Sequence, residues 1–462
     1  MDTKNVVIIG AGLAGLSAAA MLIKRGAKVT VIEQGSDVGG RMATIDHDGG
    51  FVMDAGLHCF HYGDTGPLGD LNNALGLSIE YLESNDPGYV LRGKERLPVP
   101  AEAEWEPGDV PGFSKKEAQS IHEFYRKIME TDTEGLAGKS VSVLIAEYGL
   151  SENELVTSYA GALCLTMMGA SLETTSAEYL VSHGRTVGHP GFHVSVIEGG
   201  PGRLLRALSE LVEGDDSRLV LGSKVQEIEL SGKDAVKVVT SSEEIEPAAV
   251  IYTGPTGELP DLITGDQFST AFARTCRRPK PVSAVSVEFG LSTQVSTIAG
   301  VMIDPREAVI GRFPTNLDPS LSPDGSQISS WLAVVPTEET IDKKAARSHI
   351  KRLKRVVAKQ FPELSDAVKW ERIRVLPFIG AAPTPKVPQD KRPKVANKQL
   401  ANLFIAGDAV NSPGVLSGCS VSSAITAVEQ VAKLLNLSEQ PSDEGAKTGA
   451  TTEDSGAEEE QA

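Results

Sequence analysis

Short apolar runs alternate with one longer segment of small and apolar residues at the start of the chain. The β-branched run NVVII predicts a strand, and AKVTVIE predicts a second one. Between them, GAGLAGLSAAAMLIKRG begins with closely spaced glycines and continues as a helix-forming segment. The pattern therefore predicts a strand, a glycine turn, a helix and a strand, and FVMD shortly afterwards predicts another short strand.

The middle of the chain has a different pattern. From about residue 60 to residue 190, helical segments such as KKEAQSIHEFYRKIME alternate with breaks rich in Pro and Gly. Residues 201–253 return to mixed helix and strand patterns, residues 280–335 add strand-like runs, and residues 338–361 predict one long helix. Near the C-terminus, NLFIAGDAV predicts a strand that enters a turn, and SGCSVSSAITAVEQVAKLL predicts the helix that follows it.

These patterns predict an α/β protein with two interleaved domains. A Rossmann-like dinucleotide-binding domain is predicted from residues 1–60, 190–255 and 395–437. An α+β substrate-binding domain is predicted from residues 61–189 and 256–394. Insertions into one domain explain the separation of the two nucleotide-like ends better than two consecutive domains do.

Composition adds further restrictions. With 40% hydrophobic and 23% charged residues, the 462-residue chain has an ordinary globular composition. The net charge of −18 argues against affinity for nucleic acid, and residues 438–462, with eight acidic residues and one lysine, predict a disordered acidic tail. Four widely spaced cysteines, an N-terminus without a signal-peptide pattern and the lack of an apolar run of about 18 residues predict a cytoplasmic protein.

Gly10, Gly12 and Gly15 form the sequence G-A-G-L-A-G between the first strand and the first helix. The first glycine permits a tight turn, the second lets the backbone approach a pyrophosphate, and the third lets the helix pack closely on the strand. Glu33 ends the second strand, where a carboxylate can accept hydrogen bonds from ribose hydroxyls. This arrangement predicts a dinucleotide site at the positive end of the first helix.

Two later turns have related features. Gly39, Gly40 and Arg41 follow the second strand and can clamp a pyrophosphate, because arginine offers planar, multidentate donors. Asp408 lies in a glycine turn at the end of a strand, where its carboxylate can bind sugar-like hydroxyls. GGPGRL and GPTGEL lack the preceding strand, the spacing or the partner acid, so we predict a single dinucleotide site.

The motifs GAGLAGLSAA, VIEQ, GGRM, IEGGPGRLLRAL and LFIAGDAV resemble, in the same order, those of the FAD-dependent amine oxidase and phytoene desaturase superfamily. The IEGG segment looks more like the phytoene desaturase side. The resemblance implies an FAD-dependent oxidoreductase with an FAD-binding domain of the glutathione reductase type. It implies that the pyrophosphate faces Gly10, Gly12 and Gly15, that Glu33 holds the adenosine ribose, and that Arg41 lies near the pyrophosphate and ribityl chain. The remaining cofactor-binding residues that it implies are Ala14, Gly40, Val225 at the adenine, Gly407, Asp408 at the ribityl chain, and Gly418 and Val421 in the helix that points at the isoalloxazine.

DAGLHCFH, residues 54–61, resembles the superfamily segment that passes beside the flavin. A zinc site needs about four ligands, and only His58, Cys59 and His61 are local. A reactive Cys59 would need an adjacent base and a group that orients it. We therefore predict a loop beside the cofactor, no metal site, and His58, His61 and His193 as candidate catalytic residues for which packing or cavity lining is the favoured role.

The predicted reaction moves a hydride between flavin N5 and a largely apolar small molecule, isoprenoid or carotenoid-like. Met167 and Met168 are candidates for lining a tunnel for such a substrate, although ordinary core packing is favoured for them. Electrons are expected to pass to oxygen, a quinone or another soluble acceptor. A flavin amine or amino-acid oxidase is the first alternative. A non-catalytic prenyl-binding carrier is a second alternative from another functional class. It is considered because Rab escort and GDP-dissociation-inhibitor proteins resemble this fold.

The segment KKAARSHIKRLKRVVAKQF carries eight basic residues and an apolar stripe formed by Ile350, Leu353, Val357 and Phe361. A helix of this kind can lie on an anionic membrane, which would give the protein a weak peripheral contact. The solvated face of a helix that packs on its own domain is the favoured interpretation.

Overall fold

The computed structural model describes residues 5–438, except residues 57, 85, 87, 100–112, 188–193, 215 and 266–268. The strands are β1 (Asn5–Ile9), β2 (Lys28–Ile32), β3 (Thr44–His47), β4 (Phe51–Asp54), β5 (Phe60–His61), β6 (Tyr81–Glu83), β7 (Tyr89–Arg92), β8 (Glu95–Pro98), β9 (Val194–Ile197), β10 (Arg218–Val220), β11 (Val225–Ser231), β12 (Asp234–Thr240), β13 (Glu244–Ile245), β14 (Ala249–Tyr252), β15 (Ile263–Thr264), β16 (Pro281–Leu291), β17 (Met302–Asp304), β18 (Val309–Arg312), β19 (Gln327–Val335), β20 (Val368–Ala381) and β21 (Leu403–Ile405). The α-helices are α1 (Leu13–Lys24), α2 (Pro67–Leu75), α3 (Lys115–Glu130), α4 (Val141–Glu147), α5 (Glu154–Thr166), α6 (Ala177–Val187), α7 (Gly202–Glu210), α8 (Leu259–Leu262), α9 (Thr270–Cys276), α10 (Thr337–Ile341), α11 (Lys343–Gln360), α12 (Leu364–Ala367) and α13 (Ser417–Leu435).

A parallel sheet of five strands, in the order β10-β2-β1-β14-β21, forms the first layer. Its strands come from the N-terminal part, the middle and the C-terminal part of the chain, so residues far apart in sequence lie side by side. Because β1 and β14 are central and covered on both faces, both are continuous apolar runs rather than alternating ones. Helices α1 and α13 pack against each other over this sheet, and the small side chains of α1 are buried almost all round.

A mixed sheet of seven strands, in the order β20-β16-β19-β18-β17-β7-β8, forms the second layer. Its neighbouring strands are antiparallel except for β17 and β7. Alternate residues of β16 point to opposite faces, as the pleat requires. Val282 and Ala284 join a core formed with helices α3 to α6, whereas Val285 and Val287 join a separate core formed with α11.

The helices over the first face of this sheet are fixed by local sequence signals. Ser114 and Glu117 form a capping box at the start of α3, in which each side chain binds the backbone amide of the other residue. The Asn153 side chain accepts hydrogen bonds from the amides of Leu155 and Val156 at the start of α5. These caps explain why the helical segments predicted between residues 60 and 190 begin where they do.

The α/β fold predicted from the sequence is confirmed, but three element predictions were wrong. The long helix predicted over residues 338–361 is two helices, because the Asp342 side chain caps the amides of Lys344 and Ala345 and starts α11 afresh. The predicted helical region also contains β5 to β8, of which β5, β6 and β7 pair with strands from elsewhere in the chain and β8 pairs with β7. The third difference is β20, a strand of 14 residues that follows α12 and that was not predicted.

The apolar stripe of α11 lies inside the protein. Leu353, Val357 and Phe361 are almost completely buried against β16 and β19, and Ile350 packs beside them. The stripe is therefore already covered by the domain to which it belongs, which agrees with the favoured interpretation of the basic helix. Every helix in the described part of the chain is too short or too polar to cross a lipid bilayer.

Candidate functional site

A cavity of about 1870 Å³ is lined by the turns that follow strands of the parallel sheet and by strands of the seven-stranded sheet. This volume exceeds the roughly 300–1,000 Å³ of most small-molecule pockets, so the cavity has room for a large cofactor together with a substrate. At one end it meets the carboxyl ends of the parallel strands, which is where ligands bind in open α/β sheets. The predicted cofactor-binding residues that line it are Gly12, Ala14, Gly40, Arg41, Gly407, Asp408 and Gly418.

The glycine turn after β1 exposes backbone to this cavity. Gly10 has a φ of 107°, which favours glycine, and a Cβ added to Gly15 would lie 1.9 Å from the carbonyl oxygen of Gly10. By contrast, a Cβ added to Gly12 or Gly40 would meet no described atom within 4 Å. Within the described residues, no side chain caps the start of α1. Backbone amides at a helix N-terminus, unobstructed by a side chain, form the surroundings that a pyrophosphate needs.

Glu33 lies directly after β2, at the position predicted for the ribose acceptor. Its carboxylate accepts hydrogen bonds from the amides of Ala11, at 2.8 Å, and Gly35, at 2.7 Å. The amide of Ser223 donates to the Glu33 carbonyl, and Val225 begins β11 two residues later. Glu33 and Val225 are therefore close to each other, but neither is among the residues that line the cavity.

Arg41 and Asp408, which are far apart in sequence, form a bidentate ion pair at the cavity. Both Nη atoms of Arg41 donate to the Asp408 carboxylate at 2.9 Å, and the Arg41 guanidinium lies 4.7 Å from the centre of the Phe378 ring. The Asp408 carboxylate also accepts from the amide of Ala381 at 3.1 Å, and Arg392 donates to the Asp408 carbonyl at 2.8 Å. The two charged residues predicted to bind the same cofactor are thus brought together by the fold.

These contacts determine the protonation of Asp408. Burial by itself raises the pKa of its carboxyl group, but the attraction of Arg41 and its hydrogen bonds outweigh burial, with smaller contributions from Arg392 and the Ala381 amide. The pKa of Asp408 therefore lies below its ordinary value of 3.8. Asp408 is a carboxylate at neutral pH and can accept hydrogen bonds from hydroxyl groups.

The N-terminus of α13 forms another wall of the cavity. Leu416, which precedes the helix, has a φ of 51°, a left-handed conformation that is rare for leucine and that concentrates at functional sites. A Cβ added to Gly418 would meet no described atom within 4 Å, so this position is open to the cavity. Val421 is completely buried within α13 and does not line the cavity. Cys419 is also buried, with its thiol 3.6 Å from the Gly407 carbonyl, and burial raises its pKa to about 12.

The segment that contains His58 and Cys59 lines the cavity, as expected for a loop beside a cofactor. Nδ1 of His58 lies 3.7 Å from the Asp54 carboxylate. Burial raises the pKa of the Cys59 thiol, which Arg312 offsets only in part, so the thiol is protonated at neutral pH. Among the described residues, no group of three or more His, Cys, Asp or Glu side chains is arranged to hold a metal ion.

His61 lies deeper along the same wall, opposite His183. The two ring centres are 5.2 Å apart, and Nε2 of His183 is 2.9 Å from the Thr166 hydroxyl. Burial lowers the pKa of His61 to about 4 and that of His183 well below 6.5, so both imidazoles are neutral at neutral pH. His193 lies outside the described residues.

The far end of the cavity is mainly apolar. It is bounded by side chains from α5 and from the seven-stranded sheet, including Tyr159, Leu163 and Leu332. Met168 also lines it, with a φ of 60°, whereas Met167 is buried in the helical core. The predicted lining role therefore fits Met168 alone.

The seven-stranded sheet forms one wall of the cavity, which is called the floor below. This floor contains charged residues that were not predicted from the sequence. Arg312 of β18 and Arg374 of β20 line the cavity, and Arg374 and Arg372 form ion pairs with the buried Glu288. For Arg372 and Arg374 the sequence signal was the alternation of polar and apolar residues in VKWERIRVL, which is typical of a strand with two different faces.

Comparison with known proteins identifies the family. The sequence profile described as flavin containing amine oxidoreductase matches residues 13–432, which include the turns at Gly40 and Gly407 and α13 as far as its last turn. The chain belongs to the flavin-containing amine oxidoreductase family. Enzymes of this family are FAD-dependent oxidoreductases, so the chain is an enzyme of this class, and the superfamily resemblance noted in its motifs is confirmed.

Individual relatives are distant. A 4,4'-diapolycopen-4-al dehydrogenase from Metabacillus indicus is 21% identical over 471 residues, which cover 89% of this chain and 93% of that protein. An oxidoreductase of known structure from Methanosarcina mazei has a TM-score of 0.77 at 18% identity, covering 92% of this chain and 100% of that one. Cyclohexylamine oxidase from Brevibacterium oxydans has a TM-score of 0.71 at 16% identity, covering 94% and 99%. At these identities the two solved structures show that the fold is shared.

Proposed function

We propose that this chain binds one FAD along the glycine turns and moves a hydride between flavin N5 and a largely apolar substrate, isoprenoid or carotenoid-like. The observation that carries this proposal is the single cavity, which runs from Gly12 and Gly40 to the apolar side chains around Tyr159. A dinucleotide at one end and an apolar molecule at the other would meet inside it. When bound, FAD supplies the ring that accepts or returns the hydride.

The residues around the first end would each hold a different part of FAD. The open backbone at Gly12 and the N-terminus of α1 would bind the pyrophosphate, with Arg41 as its cationic partner. Asp408 would accept hydrogen bonds from the ribityl hydroxyls. Glu33 would accept from the adenosine ribose, in exchange for one of the two amide hydrogen bonds that it accepts in this structure.

The apolar substrate is supported by two independent observations. The far end of the cavity is bounded mainly by aliphatic and aromatic side chains from α5 and from the second sheet. The relative from Metabacillus indicus, which aligns over most of this chain, is a dehydrogenase of 4,4'-diapolycopen-4-al. Oxygen or a quinone would then serve as the electron acceptor.

FAD binding is tested first, with two glycine variants. Gly12→Ala adds a methyl group on the cavity surface, whereas Gly257→Ala adds one where no described atom lies within 4 Å and where the residue does not line the cavity. Titration followed by the visible flavin spectrum is expected to show that the wild-type protein and Gly257→Ala both bind FAD. Gly12→Ala is expected to bind FAD at least about tenfold more weakly than the wild-type protein. A wild-type protein that stays colourless at saturating FAD would reject the proposal.

The substrate is tested with the FAD-loaded protein under anaerobic conditions. Mixing with 4,4'-diapolycopen-4-al is expected to bleach the visible flavin band, whereas cyclohexylamine and putrescine are expected to leave it unchanged. Bleaching by the amines alone, with hydrogen peroxide released on admission of air, would instead identify an amine oxidase.

A further inference from the structure

The floor of the cavity changes from charged to apolar across a few residues. The antiparallel registers of β16, β18, β19 and β20 place side chains in rows on the face that lines the cavity. The row nearest the β3–β4 hairpin consists of Arg312, Ser330, Glu288 and Arg372. The next row consists of Ile310, Leu332, Ser286 and Arg374. Beyond it, the apolar side chains of Leu376 and Ala284 lie opposite each other.

The charged row is connected to the end of β4. Arg312 donates to the Asp54 carboxylate at 3.3 Å, and Arg372 donates to the Asp54 carbonyl at 2.9 Å. Glu288 accepts from both Arg372 and Arg374, with 2.9 Å to the latter. The cluster therefore contains three guanidinium groups and two carboxylates, which leaves one positive charge in excess.

The other titratable groups that face this cluster do not balance the excess. His58, whose Nδ1 is 3.7 Å from Asp54, supplies no negative charge, and the thiol of Cys59 is protonated. Arg312 has a side chain only 7% exposed, and no described atom forms a hydrogen bond with its Nε or with the Nε of Arg374. An uncompensated positive charge in a largely buried cluster is costly, so such a cluster suits a ligand that supplies a negative charge.

We propose that Arg312 and Arg374 bind a carboxylate at one end of the substrate, while the rest of the substrate lies along the apolar floor. This inference rests on the proposed function for the placement of the substrate in the cavity. Arg312 and Arg374 both line the cavity, and planar guanidinium groups match the two oxygens of a carboxylate. Leu332 and Leu376 line it beside them and continue into the apolar end. The substrate class is therefore an amphipathic molecule, an apolar chain that ends in a carboxylate.

The test measures binding of simple probes to the FAD-loaded protein by isothermal titration calorimetry. Decanoate and 1-decanol have chains of the same length and differ in the terminal group. Decanoate is expected to bind about 10- to 100-fold more tightly, because a hydrogen bond to a charged group in a buried site is worth about 1.5–3 kcal/mol. Equal affinities for the two probes would overturn the inference.

Three variants assign the preference to particular residues. Arg374→Met is expected to reduce the preference for decanoate at least about tenfold, and Arg312→Lys, which keeps the charge but loses the planar fork, is expected to reduce it less. Arg306→Met is the matched control, because Arg306 is exposed, pairs with Glu154 and does not line the cavity. A preference unchanged in both Arg374→Met and Arg312→Lys would contradict the proposal.

The flavin spectrum separates this inference from the proposed function. Each variant is first shown to bind FAD with the wild-type visible spectrum, so that loss of the decanoate preference reports on the arginines. Variants that shift the flavin spectrum and keep the decanoate preference would show that the arginines serve the cofactor, which overturns the inference and leaves the proposed function intact. Failure of the wild-type protein to bind FAD at all would instead be a failure of the proposed function.

Discussion

The two ends of the cavity are built in different ways. At the end formed by the parallel sheet, the surface is largely backbone: the turn at Gly12, the turn at Gly40 and the start of α13. At the other end, side chains from β18, β19 and β20 form the surface, and each reaches the cavity through the register of its strand. A backbone surface depends on a short stretch of sequence, whereas a surface of side chains depends on how distant strands pair.

The charges at the two ends differ as well. Arg41 and Asp408 form a balanced pair with two parallel hydrogen bonds at the first end. At the second end, the three arginines around Asp54 and Glu288 outnumber the carboxylates. At the first end an anionic ligand would therefore be held mainly by backbone amides at a helix N-terminus, whereas at the second end it would be held by side-chain charge.

The largest expected effect comes from the backbone end. Gly15→Val would place a Cβ 1.9 Å from the carbonyl oxygen of Gly10, and neither backbone can move without separating α1 from β1. We expect a loss of more than about 3 kcal/mol in the free energy of unfolding, measured by urea denaturation, because overpacking against backbone cannot be relieved by a rotamer change. Gly12→Ala is the control, with an expected change below about 1 kcal/mol, and equal losses in the two variants would show that the turn does not tolerate any side chain.

A somewhat smaller effect is expected from the balanced ion pair. Asp408→Asn removes the acceptor of both Arg41 hydrogen bonds, and we expect a loss of about 3 kcal/mol at pH 7 by urea denaturation. Because the pKa of Asp408 is lower in the folded protein than its ordinary value of 3.8, its contribution is complete above that pH and is lost as the pH falls through the folded value.

The difference between wild type and Asp408→Asn should therefore shrink below about pH 4. Asp390→Asn is a suitable control, because Asp390 is an exposed residue that pairs with its neighbour Lys391. A difference that stays constant from pH 7 to pH 3 would mean that the carboxylate charge does not contribute.

The smallest of the three effects on stability is expected from His61, in the part of the cavity proposed for the substrate. Burial lowers the pKa of His61 to about 4 from an ordinary 6.5, so the unfolded chain takes up a proton in this interval and the folded chain does not. Stability from this group is complete above pH 6.5 and is lost as the pH falls towards 4, by about 2.4 kcal/mol between pH 7 and 4.5. His61→Phe should therefore flatten the dependence of the unfolding free energy on pH between 7 and 4.5.

The pH window distinguishes the two ends. The contribution of His61 changes between pH 6.5 and 4, whereas that of Asp408 changes below pH 4. An unchanged slope between pH 7 and 4.5 in His61→Phe would show that the imidazole takes up a proton in the folded protein as readily as in the unfolded chain.

The same difference between the two ends explains what could be predicted from the sequence. The turns at Gly12 and Arg41 are short motifs whose geometry follows from glycine and from the strand before them, and the fold and family predicted from them are confirmed. Asp408 was recognised in the same way, from the strand and turn around it. The roles of these residues in FAD binding stay predictions that the proposed titration addresses.

The charged floor could not be predicted, because it depends on which strands are neighbours. Arg312 and Arg374 are more than sixty positions apart, and they meet only because β18, β19, β16 and β20 pair in one register. No local sequence signal identifies the partner of an antiparallel strand when the connection between the two strands is long. The break at Asp342 is different, because an aspartate directly before a helix-forming run is a local N-cap signal that the sequence does contain.

The position of β16 between two cores restricts the deletions and insertions that this strand can accept. Its even-numbered residues face the cavity side and its odd-numbered residues face α11, so deleting a single residue would turn Glu288 towards the aliphatic core and Val287 towards the arginines. Homologous chains can vary the identity of these residues far more readily than their spacing. Gaps in this strand are therefore expected to come in pairs or to be accompanied by a bulge that restores the alternation.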